Sequence, residues 1–425
     1  MLRHWGVIVL LIAALCVVGC QKKAEEGTQE PAKQELTIFS WWTAGGEADG
    51  LNQLISMFET KYPNTKVVNA AVAGGAGTNA KAVLKTRMLG GDAPGTFQVH
   101  GGAELLQTWV KPGLMAPLNE MFASQGFDGK FPAALMDMVS LDGKIYAVPS
   151  NVHRGNALWY NKALFEKHGI TPPVTLEDMF TVSQKLKDAG VTPLALASRN
   201  KWPVTHLFET LLLATYGPEG YNELFAGKRK FTDAEGKKAL ETLAKLLDYS
   251  NTDHAALTWD QACGLVQQGK AAMTIMGDWA KGYFLAQGMV PVKDYDAAPS
   301  PGTKGNFVVI TDCFGMPAKA PNKQATLDFL AIVGSAEGQK DFNIKKGSIP
   351  ARTDVPMDEF DPIAKATMAD FKVDKLVPSL AHGSAAIEQF VTSVNDQLSV
   401  FIQEKNVQNT AEALDAAAKD AGLQQ

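Results

Sequence analysis

Residues 36–58 read LTIFSWWTAGGEADGLNQLISMF, a sequence that passes from a strand pattern to a helix pattern. The apolar residues 36–40 predict a short buried strand. After a polar loop, four apolar residues fall on one face of a helix: Leu51, Leu54, Ile55 and Phe58. Pro63 marks the end of that helix. The segment therefore predicts the first strand and helix of an α/β domain.

The same alternation continues along the chain. Further strands are predicted at 66–72, 96–100, 193–197, 271–276 and 307–311. Further helices are predicted at 78–89, 176–189, 234–249 and 261–268, and the sequence after 311 is mainly helical. This order predicts two α/β regions built from βαβ units with parallel sheets. Because no long linker separates the regions, we expect crossing strands to join them.

The first 19 residues predict a secretory signal peptide. Arg3 and His4 form a short, partly basic start, and residues 5–18 contain no charged side chain. That run is shorter than the roughly 20 apolar residues of a membrane span and fits the apolar region of a signal peptide. It ends in Val17-Val18-Gly19-Cys20, which resembles a bacterial lipobox. The resemblance implies that Cys20 is lipidated and anchors the mature chain to a membrane; an ordinary signal peptide with a chance cysteine is the alternative.

Residues 20–35 predict a flexible tether after the lipidated cysteine. They are rich in charged residues and contain no aliphatic side chain larger than that of alanine, a composition that does not fold by itself. The residues from 36 onward suit two domains of ordinary size.

Charge and cysteine content limit the possible partners. The chain has 40 basic and 45 acidic residues, a balance that gives no electrostatic signature of nucleic-acid binding. Cys263 and Cys313 are the cysteines that follow Cys20. In an oxidising compartment they could form a disulfide, and the alternative is two small buried apolar residues. The sequence leaves both alternatives open because it does not give their separation.

Nucleotide and hydrolase signatures are incomplete or missing. Residues 74–80 contain G-x-G-x-x-A, but the next strand ends in Gln98-Val-His100 instead of an acidic residue, and no Gly-Lys-Ser/Thr is present. This loop is interpreted as a flexible loop over a cleft. No G-x-S-x-G or H-E-x-x-H motif occurs, and the histidines lack metal-ligand spacing. We therefore expect no cofactor, no metal and no enzymatic activity.

Tryptophans and carboxylates gather at the ends of predicted strands. Trp41 and Trp42 follow the first strand, Asp278 and Trp279 follow the strand at 271–276, and Asp312 follows the strand at 307–311. In open α/β sheets ligands bind at these carboxyl ends. An indole face packs on the C–H face of a pyranose, and carboxylates bind its hydroxyls. Any one of these tryptophans alone could be a core residue, but the set indicates a sugar site.

Four stretches of sequence resemble a known family. They are WYNKALFEKHGI at 159–170, PPVTLED at 172–178, KLKDAGVTPLAL at 185–196 and QGKAAMTIMGDW at 268–279. They resemble extracellular solute-binding proteins of ABC sugar importers, the maltose-binding-like group. The resemblance implies an α/β fold of the two-lobed periplasmic-binding-protein type, with a hinge of crossing segments and a C-terminal helical segment. It further implies that lobe I comprises 36–148 plus 314–370 and that lobe II comprises 149–313 plus 371–425.

The opening SWWTAGGE at 40–47 resembles the glucose/mannose-binding branch of that group. By this resemblance the ligand-binding residues of the first half are Trp41, Trp42, Glu47, Gln98 and His100. Those of the second half are Trp259, Asp278, Trp279, Asp312, Lys346 and His382. Trp202 and Asn151 are weaker candidates, and Lys345 is the alternative to Lys346.

The resemblance predicts what the protein does. We expect a monomer, anchored in a periplasmic or extracellular location, that closes around a monosaccharide and delivers it to an ABC-type permease. Glucose is the first choice of ligand, and mannose and galactose follow. One alternative is an oligosaccharide, another polyol or a sugar phosphate, for which Arg154 is the nearby cation. A secreted carbohydrate-active enzyme is an alternative of a different class.

Overall fold

The computed structural model describes residues 34–74 and 77–423. Cys20, with the predicted signal peptide and most of the tether, lies outside these residues. The strands are β1 Gln34–Phe39, β2 Thr65–Asn69, β3 Thr96–His100, β4 Ser140–Leu141, β5 Lys144–Ile145, β6 Ala147–Pro149, β7 His153–Arg154, β8 Ala157–Asn161, β9 Thr192–Leu194, β10 Ala271–Ile275, β11 Tyr295–Pro299, β12 Asn306–Ile310, β13 Asp312–Gly315 and β14 Lys375–Pro378.

The helices cover most of the remaining chain. They are α1 Gly45–Lys61, α2 Thr78–Leu89, α3 Asn119–Ser124, α4 Ala133–Val139, α5 Lys162–Lys167, α6 Leu176–Asp188, α7 Trp202–Phe225, α8 Ala234–Leu247, α9 Trp259–Gln267, α10 Trp279–Ala286, α11 Lys323–Gly334, α12 Ala336–Lys346, α13 Pro362–Phe371, α14 Glu388–Glu404 and α15 Val407–Asp420. A π-helical segment spans Glu104–Val110. Within the described part of the chain, no helix has both the length and the apolar content needed to cross a bilayer.

Three sheets organise these elements. The five-stranded sheet has the order β2-β1-β3-β13-β6, the four-stranded sheet β11-β8-β10-β9 and the three-stranded sheet β14-β12-β7. β1 is parallel to β2 and β3, but β13 is antiparallel to both of its neighbours, and β8 is antiparallel to β10 and β11. The prediction of parallel sheets was therefore wrong for these strands. The sheets are mixed, and β13 enters its sheet from β12 of another sheet.

Two crossing segments connect the five-stranded and three-stranded sheets. The chain passes from β6 to β7 through residues 150–152, and it returns from β12 to β13 through Thr311. The two crossings are bonded to each other, because Thr311 Oγ donates to the carbonyl of Asn151 at 2.7 Å and Ser150 N donates to the carbonyl of Asp312 at 2.8 Å. The predicted crossing connections therefore exist and lie side by side.

The apolar residues form cores on both sides of these crossings. One core packs around the five-stranded sheet, with Leu36 and Phe97 from its strands and Phe329 from α11. A second core joins the other sheets to α7, α8, α14 and α15, for example through Phe208 and Phe401. The C-terminal helices α14 and α15 thus cover the second core. The chain has the α/β, two-lobed architecture that the sequence predicted.

Two elements begin earlier in the chain than the sequence pattern predicted, because hydrogen bonds extend them. β1 begins at Gln34, inside the predicted tether, because Gln34 and Glu35 pair with residues of β2. α9 begins at Trp259 instead of 261, because Thr258 and Gln261 form a capping box that satisfies the first turn. The strands predicted at 66–72 and 193–197 are shorter than expected.

Cys263 and Cys313, whose pairing the sequence left open, do not form a disulfide. Both thiols are free and buried, and they belong to different apolar cores, since Cys263 lies on α9 and Cys313 lies on β13. Burial raises the pKa of each thiol, so both remain protonated. The alternative of two small buried apolar residues is the one that the structure shows.

Candidate functional site

A small cavity lies where the predicted site residues meet. Its lining consists of Trp41, Trp42, Glu47, His100, His153, Trp202, Trp259, Trp279, Ile310, Asp312, Lys346 and His382. The candidate residues from the sequence that do not line it are Gln98, Asp278 and the weaker candidate Asn151. It also contains His153 and Ile310, which the sequence did not indicate.

One wall is built from the ends of the strands of the five-stranded sheet. Trp41 and Trp42 follow β1, Glu47 lies in the first turn of α1, and His100 ends β3. Asp312 begins β13 directly opposite His100. Because β1 and β3 are parallel, their carboxyl ends meet at one edge, which brings these side chains together.

The opposite wall is built from the first residues of three helices. Trp202, Trp259 and Trp279 begin α7, α9 and α10. The Trp202 and Trp279 rings lie 6.0 Å apart between centroids, and the Trp279 ring lies 4.9 Å from that of His382. A second, larger cavity of about 580 Å³ shares Trp41, Glu47, Trp259 and Trp279 with the first.

Asp312 is the most heavily bonded side chain of the site. Its Oδ1 accepts from Gln98 Nε2 at 2.8 Å, and its Oδ2 accepts from Asn151 Nδ2 at 2.8 Å and His153 Nε2 at 3.1 Å. Burial alone would raise its pKa, but the His153 hydrogen bond and the charge of Lys346 outweigh burial and hold the pKa far below its usual range. Asp312 is therefore a fixed negative charge in the cavity wall.

Gln98 and Asp278 lie behind the lining. Gln98 uses its amide to join Asp312 to the backbone N–H of Trp41, which donates to Gln98 Oε1 at 3.2 Å. Asp278 accepts from the ring of His153 and from the backbone N–H of Arg154 at 3.2 Å. Both residues orient the side chains that face the cavity.

His153 connects two carboxylates. Its Nδ1 contacts Asp278 and its Nε2 contacts Asp312. Burial and the charge of Lys346 lower its pKa, but the two carboxylates outweigh them and the net pKa is raised. The two carboxylates thus favour the protonated form of the ring, while Asn151 Nδ2 also lies 2.9 Å from its Nε2. His153 lies on the two-residue strand β7, which is too short to show a sequence pattern. The only sequence signal near it was the weaker site candidate Asn151.

His100 has a carboxylate behind it. Its Nδ1 lies 2.8 Å from Glu104 Oε2, and Lys81 Nζ lies 2.6 Å from the same oxygen. Burial raises the pKa of Glu104, but Lys81 and His100 outweigh it and the net pKa is lowered. The Trp41 ring packs on His100 with centroids 4.9 Å apart. Glu104 therefore holds the imidazole against the indole.

Lys346 is the lysine that faces the cavity. It is buried, donates to Glu47 Oε1 at 2.9 Å and lies 5.2 Å from the Trp42 ring centroid, whereas Lys345 is exposed. Trp42 also packs on Phe314 and Phe342. Of the paired tryptophans, Trp42 is thus the one tied to the core, and it still contributes to the lining.

Arg154 points away from the cavity. Its guanidinium contacts Asp370 and lies 3.2 Å from Asp374, and it does not line the cavity. The cation predicted to accompany a phosphate ligand is therefore neutralised elsewhere.

Comparison with known proteins agrees with this architecture. Residues 35–340 match the family described as bacterial extracellular solute-binding protein. An uncharacterized ABC transporter extracellular-binding protein of Pyrococcus horikoshii is 43% identical over 420 residues, covering 98% of this chain and 94% of its own. A probable sugar-binding periplasmic protein of Mesorhizobium japonicum is 36% identical, covering 87% and 89%.

The fold is also found among solved structures. The bacterial solute receptor AcbH, described as having an exclusive preference for β-D-galactopyranose, superposes with a TM-score of 0.82. The match covers 91% of this chain and 99% of that receptor at 20% sequence identity. The chain belongs to the bacterial extracellular solute-binding protein family.

Proposed function

We propose that this protein binds a monosaccharide of the glucose type in the cavity between its lobes and delivers it to an ABC-type permease. The observation that carries the proposal is the composition of the cavity wall. Indoles stand on both sides, and between them lie a carboxylate, imidazoles and an ammonium group. Indoles pack on the C–H faces of a pyranose, and the polar groups bind its hydroxyls.

Two observations bear on the kind of sugar that is bound. The relative from Mesorhizobium japonicum, named as a probable sugar-binding protein, supports the class of ligand. The larger neighbouring cavity has room for further sugar rings, so an oligosaccharide is the alternative that the experiment below must separate.

Closure of the lobes explains capture and release. Trp41 and His100 belong to the five-stranded sheet, and Trp202 and Trp279 come from helices on the other side. A sugar that contacts both walls favours the closed state by the difference in its affinity for the two states. We expect a dissociation constant on the order of micromolar, about −8 kcal/mol. The closed protein would then present its cargo to the permease.

The carboxylates of the site disfavour a glycosidase. Such an enzyme needs one carboxyl group with a raised pKa as the general acid. Here the pKa of Asp312 is lowered, Asp278 is bonded to His153, and Glu47 is paired with Lys346. Each of these carboxylates thus faces a basic side chain.

Calorimetric titration of the purified protein tests the proposal. The panel contains glucose, mannose, galactose, xylose, maltose and glucose 6-phosphate. We expect saturable binding of at least one hexose, quenching or shift of tryptophan fluorescence, and loss of both in Asp312→Asn. Tighter binding of maltose than of any monosaccharide would favour the oligosaccharide alternative. No binding of any member would refute the proposal.

We further propose that Cys20 carries a lipid anchor, that the protein is monomeric and that the lobes have the boundaries predicted above. The sequence Val17-Val18-Gly19-Cys20 supports the anchor. Full-length protein should partition into the detergent phase of a cloud-point separation, and a Cys20→Ser variant should stay in the aqueous phase. Equal partition of the two would refute the anchor, and a dimer mass in sedimentation would refute the monomer.

A further inference from the structure

A buried chain of three polar side chains lies behind the cavity wall. Glu209 of α7 lies 3.0 and 2.9 Å, through its two carboxylate oxygens, from the hydroxyl of Ser379. The same hydroxyl oxygen lies 3.0 Å from His382 Nδ1. Glu209 and Ser379 are 0% exposed and His382 is 3% exposed. Of the three residues, only His382 lines the cavity.

The direction of each hydrogen bond in this chain follows from the donors around Glu209. Glu209 Oε2 accepts from the backbone N–H groups of Leu380 at 2.6 Å and Ala381 at 3.0 Å, so the carboxylate acts as an acceptor. The single hydroxyl proton of Ser379 therefore points to Glu209. Ser379 Oγ then has only lone pairs to offer, and His382 Nδ1 must carry a proton and donate to it.

The outer nitrogen of His382 is left without a proton. Burial, together with the neighbouring His100, His206 and Lys81, holds the pKa of His382 well below its usual value, so the ring is neutral. A neutral imidazole with Nδ1 protonated has a bare Nε2. Among the hydrogen bonds of the described residues, Nε2 accepts none. It is an acceptor available to a bound ligand.

We infer that Glu209 and Ser379 are positioning residues that fix the tautomer of His382 and so select ligands with a hydroxyl donor at this point. The inference rests on the proposed function of the cavity. Neither residue touches a ligand; both act through the ring of His382. A sugar whose hydroxyl at this point is replaced by fluorine or hydrogen would leave the buried acceptor unpaired, which costs affinity.

A bound cation is the competing explanation for the same residues. Ligand atoms of His206, Glu209 and His382 lie within 4.8 Å of one another, and His206 Nδ1 lies 3.2 Å from Glu209 Oε1. Glu209, however, already accepts from one hydroxyl and two backbone N–H groups. A metal ion would have to compete with these donors for the carboxylate.

Nitrogen-15 NMR of histidine-labelled, ligand-free protein tests the inference without any sugar. The His382 signals are assigned by their loss in His382→Asn. We expect a protonated Nδ1 and a bare Nε2 in the wild type, and a mixture of tautomers in Ser379→Ala. Ser384→Ala is the matched control, because Ser384 is a buried hydroxyl in the same turn without a hydrogen-bond partner in the described part of the chain; it should give the wild-type spectrum.

Several outcomes would overturn the inference. A protonated Nε2 in the wild type would refute the assigned tautomer of His382, and this measurement does not depend on the folding of any variant. An unchanged tautomer in Ser379→Ala would show that Ser379 does not set it. Zinc that binds the wild type, shifts the His382 signals and fails to bind His206→Ala would identify a metal site instead.

A series of deoxyfluoro analogues of the best-bound sugar gives the second test. One analogue should bind the wild type at least about 10-fold more weakly than the parent sugar does. In Ser379→Ala that ratio should fall to about 3-fold or less, because the ring is then free to donate. An equal ratio in both proteins would contradict the inference. Failure to bind any sugar, with the expected NMR spectrum, would defeat the proposed function and leave the tautomer assignment standing.

Discussion

Asp312→Asn is the substitution with the largest consequence that the structure predicts. The two side chains have the same shape, so the change removes a charge and converts one acceptor atom into a donor. Asp312 accepts from Gln98, Asn151 and His153. Whichever way the new amide turns, its NH₂ group faces at least one of these donors.

The size of the effect follows from the least costly orientation of that amide. If its NH₂ group faces Gln98, one hydrogen bond to a charged group is lost, which is worth about 1.5–3 kcal/mol. Two buried donors then face each other without an acceptor, which adds about 1–3 kcal/mol. His153 also loses one of its two carboxylate partners. We expect the free energy of unfolding to fall by about 3–5 kcal/mol, as for a broken buried ion pair.

Urea unfolding of the ligand-free protein at neutral pH measures this change. Asp137→Asn is the matched control, since Asp137 lies exposed on α4 and should change stability by less than about 0.5 kcal/mol. Titration with the bound sugar gives the second reading. Asp312→Asn should weaken binding more than Glu47→Gln, because Glu47 is 19% exposed at its side chain and is shared with Lys346.

Two results would refute this reasoning. A loss of stability no larger than that of the Asp137→Asn control would show that the hydrogen bonds around Asp312 contribute nothing net. A normal loss of stability with unchanged sugar affinity would place Asp312 outside the ligand contacts and make it a purely structural residue.

Three further perturbations test other parts of the site. His153 has a raised pKa, so the stability that its protonated ring contributes is full below about pH 6.5, the pKa of an unfolded histidine, and is lost as pH rises through the folded-state pKa. The melting temperature of His153→Gln should therefore approach that of the wild type toward alkaline pH. A difference that stays constant with pH would contradict a protonated His153. Lys346→Met should weaken sugar binding by about 10-fold or more, whereas Lys345→Met should not, and similar losses in both would show that Lys346 has no special role. The thiols of Cys263 and Cys313 should react with a thiol reagent only after the protein is unfolded. If no thiol reacts even in the unfolded protein, the two cysteines are oxidised and the expectation is wrong.

Much of the site was predictable because of where the residues fall in the chain. Trp41, His100 and Asp312 lie directly at strand ends, and the parallel pairing of β1 and β3 brings such ends together. The strand and helix patterns place these residues even though they are far apart in sequence. His100 and the lysine pair Lys345 and Lys346 were proposed only from the family resemblance, and the choice between the two lysines depends on how α12 packs.

What escaped prediction depends on packing between distant segments. His153 lies on a strand of two residues, too short to show a period, and its role comes from carboxylates on other elements. The mixed sheets arise because β13 continues a strand from another sheet, which no local pattern reveals. The sequence left the pairing of the cysteines open because their separation depends on how the two cores pack.

The crossing segments have a consequence for how such a protein can change its cargo. Asn151 lies on one crossing and Asp312 at the end of the other, and they hold each other through two hydrogen bonds of 2.8 Å. A ligand that contacts Asp312 therefore touches the pivot itself. We therefore expect a substitution of Asp312 to change both the equilibrium between open and closed lobes and the specificity for the sugar. Divergence in specificity should consequently concentrate on the helix-starting tryptophans, where a residue can be exchanged while the swing of the lobes is preserved.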